Sequence, residues 1–491
     1  VNHVFYHGTT YSPEEAGYPG WLFYASVNFV PSNSFWPHLK GLNEYITRVQ
    51  SILQTTKADN ELLIYWPIYD VWNNPKGLDK PLKVHDVDDW LHPTEFYKQS
   101  IHLSNSGYSF DFVTDSILAK SKVVNGNIST HDNAIAYKTL LVPQSNLMSE
   151  TTLENIINLA KSGARIIFQS LPKDVPGLGN LEARRAKFSQ LVNSLDFKTE
   201  GNVKKCRIGK GEILVSEEFV SALTSVSIGR EELADTGLKF TRRVSNGDVF
   251  YYIVNHTPRD FNDFVKLNAQ GNQVILMDPD YGDVGEAEVK DGRVRLQIKS
   301  GQAFILKVAS EKSNIQKWRY LGQEIAKTSL KEPWNLSFAN GGPELPQSRE
   351  INELKSWTDL GDERANKFSG SGVYETTFKF NPKSAHEYVL DLGKVAESAR
   401  VWVNGNEVGI VWGIPFEVRI GKYLKKGKNT LKIEVNNLMA NRIKDLDERG
   451  VVWRNYHEIN FVNIDYKSFD AKNWKLMPSG LLGPVSITAY Q

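Results

Sequence analysis

Between residues 56 and 215, five short apolar runs, ELLIYWP, FDFVTD, KTLLVP, ARIIFQ and GEILVS, alternate with helical stretches. Unbroken apolar runs of this length must be covered on both faces. Strands covered on both faces and joined by helices make a parallel sheet with helices on either side. The stretch HPTEFYKQSIHL reads as one such helix, and SETTLENIINLAKSG as another, capped by Ser149 and stopped at Gly163. No G-x-G-x-x-G follows any of the strands, and LLVPQSN holds no nucleophile elbow, so this α/β layer reads as an accessory domain rather than a cofactor site.

After residue 220 the period changes to two, in DVFYYIVNHT, NQVILMDPDYGD and EAEVKDGRVRLQIKSGQAFILKV, with DG at 291–292 and SG at 300–301 placed to turn hairpins. The pattern predicts a small antiparallel β domain over 216–312. A polar, helix-compatible connector with Pro333 and Pro346 follows. From 370 the strands GVYETTFKF, EYVLDLG, SARVWVNGNEVG, FEVRIG, NTLKIEVNN and GPVSITAY predict a jelly-roll sandwich, so that connector and sandwich together fill 313–491.

Residues 1–55 read as a strand at Val4–Tyr6, a turn-rich aromatic loop, and a helix in which Leu42, Tyr45, Ile46, Val49, Ile52 and Leu53 recur at three and four. Strand, loop and helix in that order form a βα unit of a barrel, whose post-strand loop carries chemistry. A chain that opens inside a strand is expected to be the carboxy-terminal part of something longer, so 1–55 is expected to be a barrel remnant. The fold class expected for the whole is multidomain α/β plus all-β.

Composition narrows the function. Fifty-eight Lys and Arg against fifty-seven Asp and Glu give a net charge of +1, which attracts neither nucleic acid nor an anionic membrane. No apolar stretch reaches the length of a membrane span. A single cysteine, Cys206, rules out an internal disulfide framework. Twelve Trp, 20 Tyr and 23 Phe, many beside Asn, Gly and Pro, suit carbohydrate, whose C–H faces stack on rings while its hydroxyls take hydrogen bonds.

The segments SGSGVYETTFKF, LDLGKVAESARVWVNGNEVGIVWGIPFEVRIG and SGLLGPVSI resemble the galactose-binding-like, sugar-binding jelly roll of family 2 glycoside hydrolases. Asn404–Gly405 is its tight hairpin, Trp402 and Phe416 read as sandwich core, and Trp412, Trp453 and Trp474 read as exposed sugar-stacking platforms. HGTTYSP, PGWLFYAS and YITRVQSILQ resemble the closing part of the catalytic barrel of family 106 glycoside hydrolases, the α-L-rhamnosidases. That resemblance implies removal of terminal α-L-rhamnose from plant polysaccharide with inversion, by two carboxyl groups roughly 6.5–9.5 Å apart. It also implies a calcium ion on the sugar hydroxyls of the full-length enzyme, a missing amino-terminal barrel as partner, and a periplasmic or secreted location.

No cofactor or metal site is expected in this chain, and its catalytic carboxylates are not identified, so alone it is expected to be inactive. His7, Tyr11, Trp21 and Tyr24 are the expected substrate-binding residues, with His7 and the close-approach Gly8 at the end of the first strand. Trp36 could pack under the helix. Glu14 and Glu15 read as solvated loop charges, Asp70 and Trp72 as scaffold at the rim, and DPDYGD at 278–283 and DLDERG at 445–450 as acidic turns. Histidine spacing offers no zinc site. Two alternatives stand beside the hydrolase reading: a non-catalytic carbohydrate-binding scaffold and a β-galactosidase-like glycosidase.

Overall fold

The computed structural model describes all residues except 1–2, 23–26, 76–81, 131–134, 332, 384, 454–466 and 468–469. In the α/β layer the parallel strands lie in the order Phe110–Val113, Leu62–Tyr65, Thr139–Val142, Arg165–Phe168 and Gly211–Val215. Antiparallel Val203–Ile208 and Lys198–Glu200 extend the sheet at one edge. Successive side chains on each strand go to opposite cores. Leu63, Leu140 and Ile166 meet Leu153, Ile156 and Ile157 of the helix Glu150–Lys161, whereas Ile64, Leu141 and Ile167 meet Phe96, Leu103 and Phe219. The double burial inferred from the apolar runs is therefore what holds this sheet. Ser149 Oγ accepts from Thr152 N at 3.0 Å and starts the helix, and Gly163 at φ +119° ends it.

A six-stranded antiparallel sheet follows, packed on the three-stranded sheet Phe261–Lys266, Arg293–Ile298 and Val289–Lys290. Asp291 and Gly292 at φ +50° and +70° make the expected tight hairpin. One edge strand of the larger sheet, Lys57–Ala58, pairs with Val244 and Arg243 although it precedes the α/β layer in sequence. A buried ion cluster locks the two units together. Arg242 reaches Asp59 at 2.7 Å and Glu61 and Glu231 at 2.8 Å each.

The carboxy-terminal sandwich sets the sheet of Glu324–Ser329, Ser486–Tyr490, Glu387–Asp391 and Glu417–Arg419 against six antiparallel strands. In spatial order these are Arg349–Ile351, Trp334–Gly342, Ser369–Phe380, Gly427–Asn436, Ser398–Val403 and Asn406–Val411. Asn404 and Gly405 turn their hairpin at φ +52° and +80°. The stretch expected to be a helix-compatible connector is thus corrected: 324–351 supplies three strands. WNLSF alternates Trp334, Leu336 and Phe338 into the core, and proline at 333 and 346 only borders the strands.

The amino-terminal expectation is corrected too. Val4–Tyr6 forms no strand and is exposed, Phe5 by 85%. β-branched and aromatic residues favour a strand only where a neighbour supplies its ladder. The described residues of 8–38 instead run as a strap over the carboxy-terminal sandwich. Tyr18 O accepts from Arg442 Nε and Nη2, Ser34 Oγ donates to Asn437 O, and Leu22 packs with Ile443, Leu446 and Trp453. The expected helix is present as Leu39–Thr55, wedged between the two β units. Its Gly41 lies so close to Ile410 that a Cβ would sit 2.9 Å away, while Val49 and Leu53 pack on Ile305.

Candidate functional site

Thr10 Oγ1 donates to Trp21 O at 2.9 Å, and Trp21 N donates to Ser12 Oγ at 2.8 Å. Two short side chains flanking Tyr11 thus pin the backbone of Trp21, and the structure brings those two expected residues into one closed loop. Tyr11 is 76% exposed and Trp21 half-buried. His7 is exposed beside Gly8, whose carbonyl accepts from Phe29 N at 2.9 Å. With no strand at Val4–Tyr6, His7 does not end one. Tyr24 lies outside the described residues. Trp36 is 38% exposed at the entry to the helix.

Most of the carboxylates singled out in the sequence have structural work. Asp70 accepts from Asn146 N at 2.7 Å and Leu147 N at 2.8 Å, tying one post-strand segment to the next, while Trp72 stays 58% exposed. Asp445 pairs with Arg442 and Arg449, and Asp447 accepts from Trp453 Nε1 at 2.7 Å. Trp453 is therefore corrected from an exposed platform to a buried residue, 7% exposed, because its ring fills the contact between strap and helix Ala440–Glu448. Trp474 is 40% exposed; Trp412 is 36% exposed and stands edge-on to Tyr45. Glu14 and Glu15 occupy an exposed single turn.

The acidic turn 278–283 is more than a surface feature. Asp278 Oδ1 accepts from Asp280 N at 2.7 Å, Arg48 of the wedge helix donates to the carbonyls of Pro279 and Asp280, and Tyr281 Oη donates to Glu417 O of the sandwich. Burial pushes the Asp278 carboxyl up, and burial together with Asp278 pushes Asp280 up to about 7. Sequence reasoning missed this role as a joint between units. The aromatic inside an acidic DPDYGD turn was the signal available.

Beside the turn, a cavity of about 200 Å³ opens between the small β unit and the sandwich, with Lys299, Trp318, Arg319, Glu387, Glu417 and Arg419 on its walls. Lys299 is committed to Glu417, while Arg319 and Arg419 both approach Glu387, at 3.9 and 3.7 Å. Such a lining suits a small polar ligand. Among the described residues no group of three His, Cys, Asp or Glu is placed to hold a metal.

Known proteins bear on this architecture. A family model described as alpha-L-rhamnosidase matches residues 83–290, and one described as a glycosyl hydrolase 2 galactose-binding-like domain matches 364–480. The first match begins beyond the amino-terminal segment that carries the barrel resemblance. A Formosa agariphila protein provisionally named β-glucuronidase is 34% identical over 177 residues, covering 32% of this chain and 15% of its own length. A second of that name and organism is 39% identical over 71 residues, covering 14% of this chain and 7% of its own. The structure of a rhamnosidase from Novosphingobium sp. PP1Y superposes with a TM-score of 0.70 at 23% identity, over 94% of this chain and 42% of that one. The fold is thus shared along nearly all of this chain, which spans less than half of the rhamnosidase. Residues 83–290 are thus similar to the alpha-L-rhamnosidase family, and residues 364–480 to the galactose-binding-like domain of glycosyl hydrolase 2.

Proposed function

We propose that this chain serves a glycoside hydrolase that removes terminal α-L-rhamnose from plant-type polysaccharide with inversion, and that the main catalytic carboxylates lie outside these 491 residues. The observation that carries the reading is the rhamnosidase match over 83–290. The engagement of Asp70, Asp445 and Asp447 in backbone and ion-pair contacts supports the second half, since a catalytic carboxylate has to keep its oxygens for substrate and water. His7, Tyr11 and Trp21, with Tyr24, would wall the sugar pocket next to a barrel supplied from elsewhere. A polymeric substrate favours a periplasmic or secreted location.

The test is release of p-nitrophenol from its α-L-rhamnoside by this chain and by a longer product that contains it. The expected outcome is turnover by the longer product alone, because loss of a single positioned acid or base already costs about 10²–10⁴ in rate. Turnover of the two within tenfold would place the catalytic groups inside this chain. The name borne by the Formosa proteins favours a second reading, a glycosidase acting on β-glucuronides. Hydrolysis of p-nitrophenyl β-D-glucuronide in place of the rhamnoside would decide for it.

A further inference from the structure

On the six-stranded sheet of the sandwich, cross-strand register places Glu350, Asn335, Glu375, Lys432, Trp402 and Glu407 in one row, a single residue from each strand. Their strand neighbours Trp334, Leu336, Tyr374, Leu431, Val401 and Val403 fill the core, so the row stands on the outer face. Six strands put its ends about 24 Å apart, the length of several sugar rings. Half of this outer face is covered by the chain itself: His38 Nδ1 lies 2.8 Å from Ser398 Oγ and its Nε2 3.3 Å from Glu434, and Gly41 rests on Ile410. The other half is an open groove of about 760 Å³ that runs over the row, with Thr377 and Thr430 beside it.

Trp402 is half-buried here and not in the core, which corrects the reading of the sequence. Arg400 and Lys432 lie against its ring, 5.0 and 4.8 Å from the centroid, and Arg400 is held in turn by Glu407 at 2.5 Å. The indole is fixed in the groove wall before any ligand arrives. Glu350, Asn335, Glu375, Thr377 and Thr430 are exposed, and neither glutamate has an ion-pair partner among the described residues.

We propose that this groove is a binding face for an uncharged glycan that crosses the strands, with Trp402 as its ring platform and Glu350, Asn335, Glu375 and Lys432 as its hydroxyl partners. Two unpaired carboxylates repel phosphate and polyuronate, which disfavours nucleic acid and acidic polysaccharide. The row presents no aliphatic side chain, whereas a protein partner needs an apolar centre to bury. Carboxylate, amide, hydroxyl and ammonium groups in one row with an indole match the hydroxyls and C–H faces of successive pyranose rings. The site is separate from the cleavage chemistry, and binding is read without hydrolysis, so either proposal can fail alone.

The experiment is electrophoresis of the intact chain through native gels containing xyloglucan, galactomannan, linear galactan or polygalacturonate. Retardation by at least one of the three neutral polymers, with none by polygalacturonate, is expected. Trp402→Ala and Glu375→Gln should each weaken it at least tenfold at unchanged melting temperature, and Trp72→Ala, on the α/β layer, should leave it intact. Glu375→Gln keeps the test open should Trp402→Ala not fold. No retardation by any neutral polymer, or retention by both variants equal to that of the parent, would overturn the proposal. So would sedimentation showing that the face joins two copies of the chain.

Discussion

Asp280 shows how a residue's surroundings convert into a pH response. Its carboxyl, raised to about 7 by burial and by Asp278, binds a proton more tightly in the folded chain than in the unfolded one, where the ordinary value near 3.8 applies. The stabilisation this gives is complete below about 4 and disappears as pH rises through 7, each unit of the rise being worth about 1.4 kcal/mol. Asp280→Asn should therefore melt close to the parent at pH 4 and a few degrees above it at pH 8, as followed by calorimetry. An unchanged gap between the two pH values would show Asp280 already ionised in the fold. Gly480 gives a steric counterpart. At φ +98° a Cβ there would sit 2.3 Å from Trp357 Nε1 and 2.4 Å from Tyr374 Oη, two groups that hydrogen-bond each other at 2.6 Å in the core. Gly480→Ala should cost about 1–3 kcal/mol or more and lower the urea midpoint of the sandwich.

Among the elements, those whose pattern is complete within a few residues were legible in the sequence. The five parallel strands announced themselves because every side chain in runs such as LLIY is buried, and the helix after Ser149 because its cap and its stop both lie in the chain. Elements defined by distant partners were not legible. Glu324–Ser329 is polar and largely exposed, and counts as a strand only because Ser486–Tyr490 pairs with it. Trp453 looked like a loop residue and is buried because Asp447 and Leu22 meet it. Trp402 was misread as core: its alternation with Val401 and Val403, which fill the core, puts it on the opposite face of the strand. The strand Lys239–Ser245 carries the sharpest test at this scale. Arg242→Ala would leave Asp59, Glu61 and Glu231 facing one another without a cation, at a cost of about 3–5 kcal/mol, and should bring the α/β layer and the small β unit apart earlier in denaturant.

For the whole molecule, the units are joined by their side chains as much as by their linkers. The wedge helix touches both β units, the 278–283 turn reaches the sandwich through Tyr281, and the strap closes over the far end of the chain. Limited proteolysis should therefore release no separate amino-terminal piece from the native chain, whereas Arg442→Ala, which frees the carbonyl of Tyr18, should expose the 8–38 region to cleavage first.

The strap also sets an order of events during synthesis. Ser34 finds its partner Asn437 only 403 residues later, which at about 5–20 residues per second is roughly 20–80 seconds of translation. Over that interval Leu22 has no Ile443, Leu446 or Trp453 to cover it, and His38 has no Glu434. Residues 8–38 thus leave the ribosome long before their partners exist, and a nascent chain stalled before residue 437 would display an apolar strap to chaperones for as long as the stall lasts.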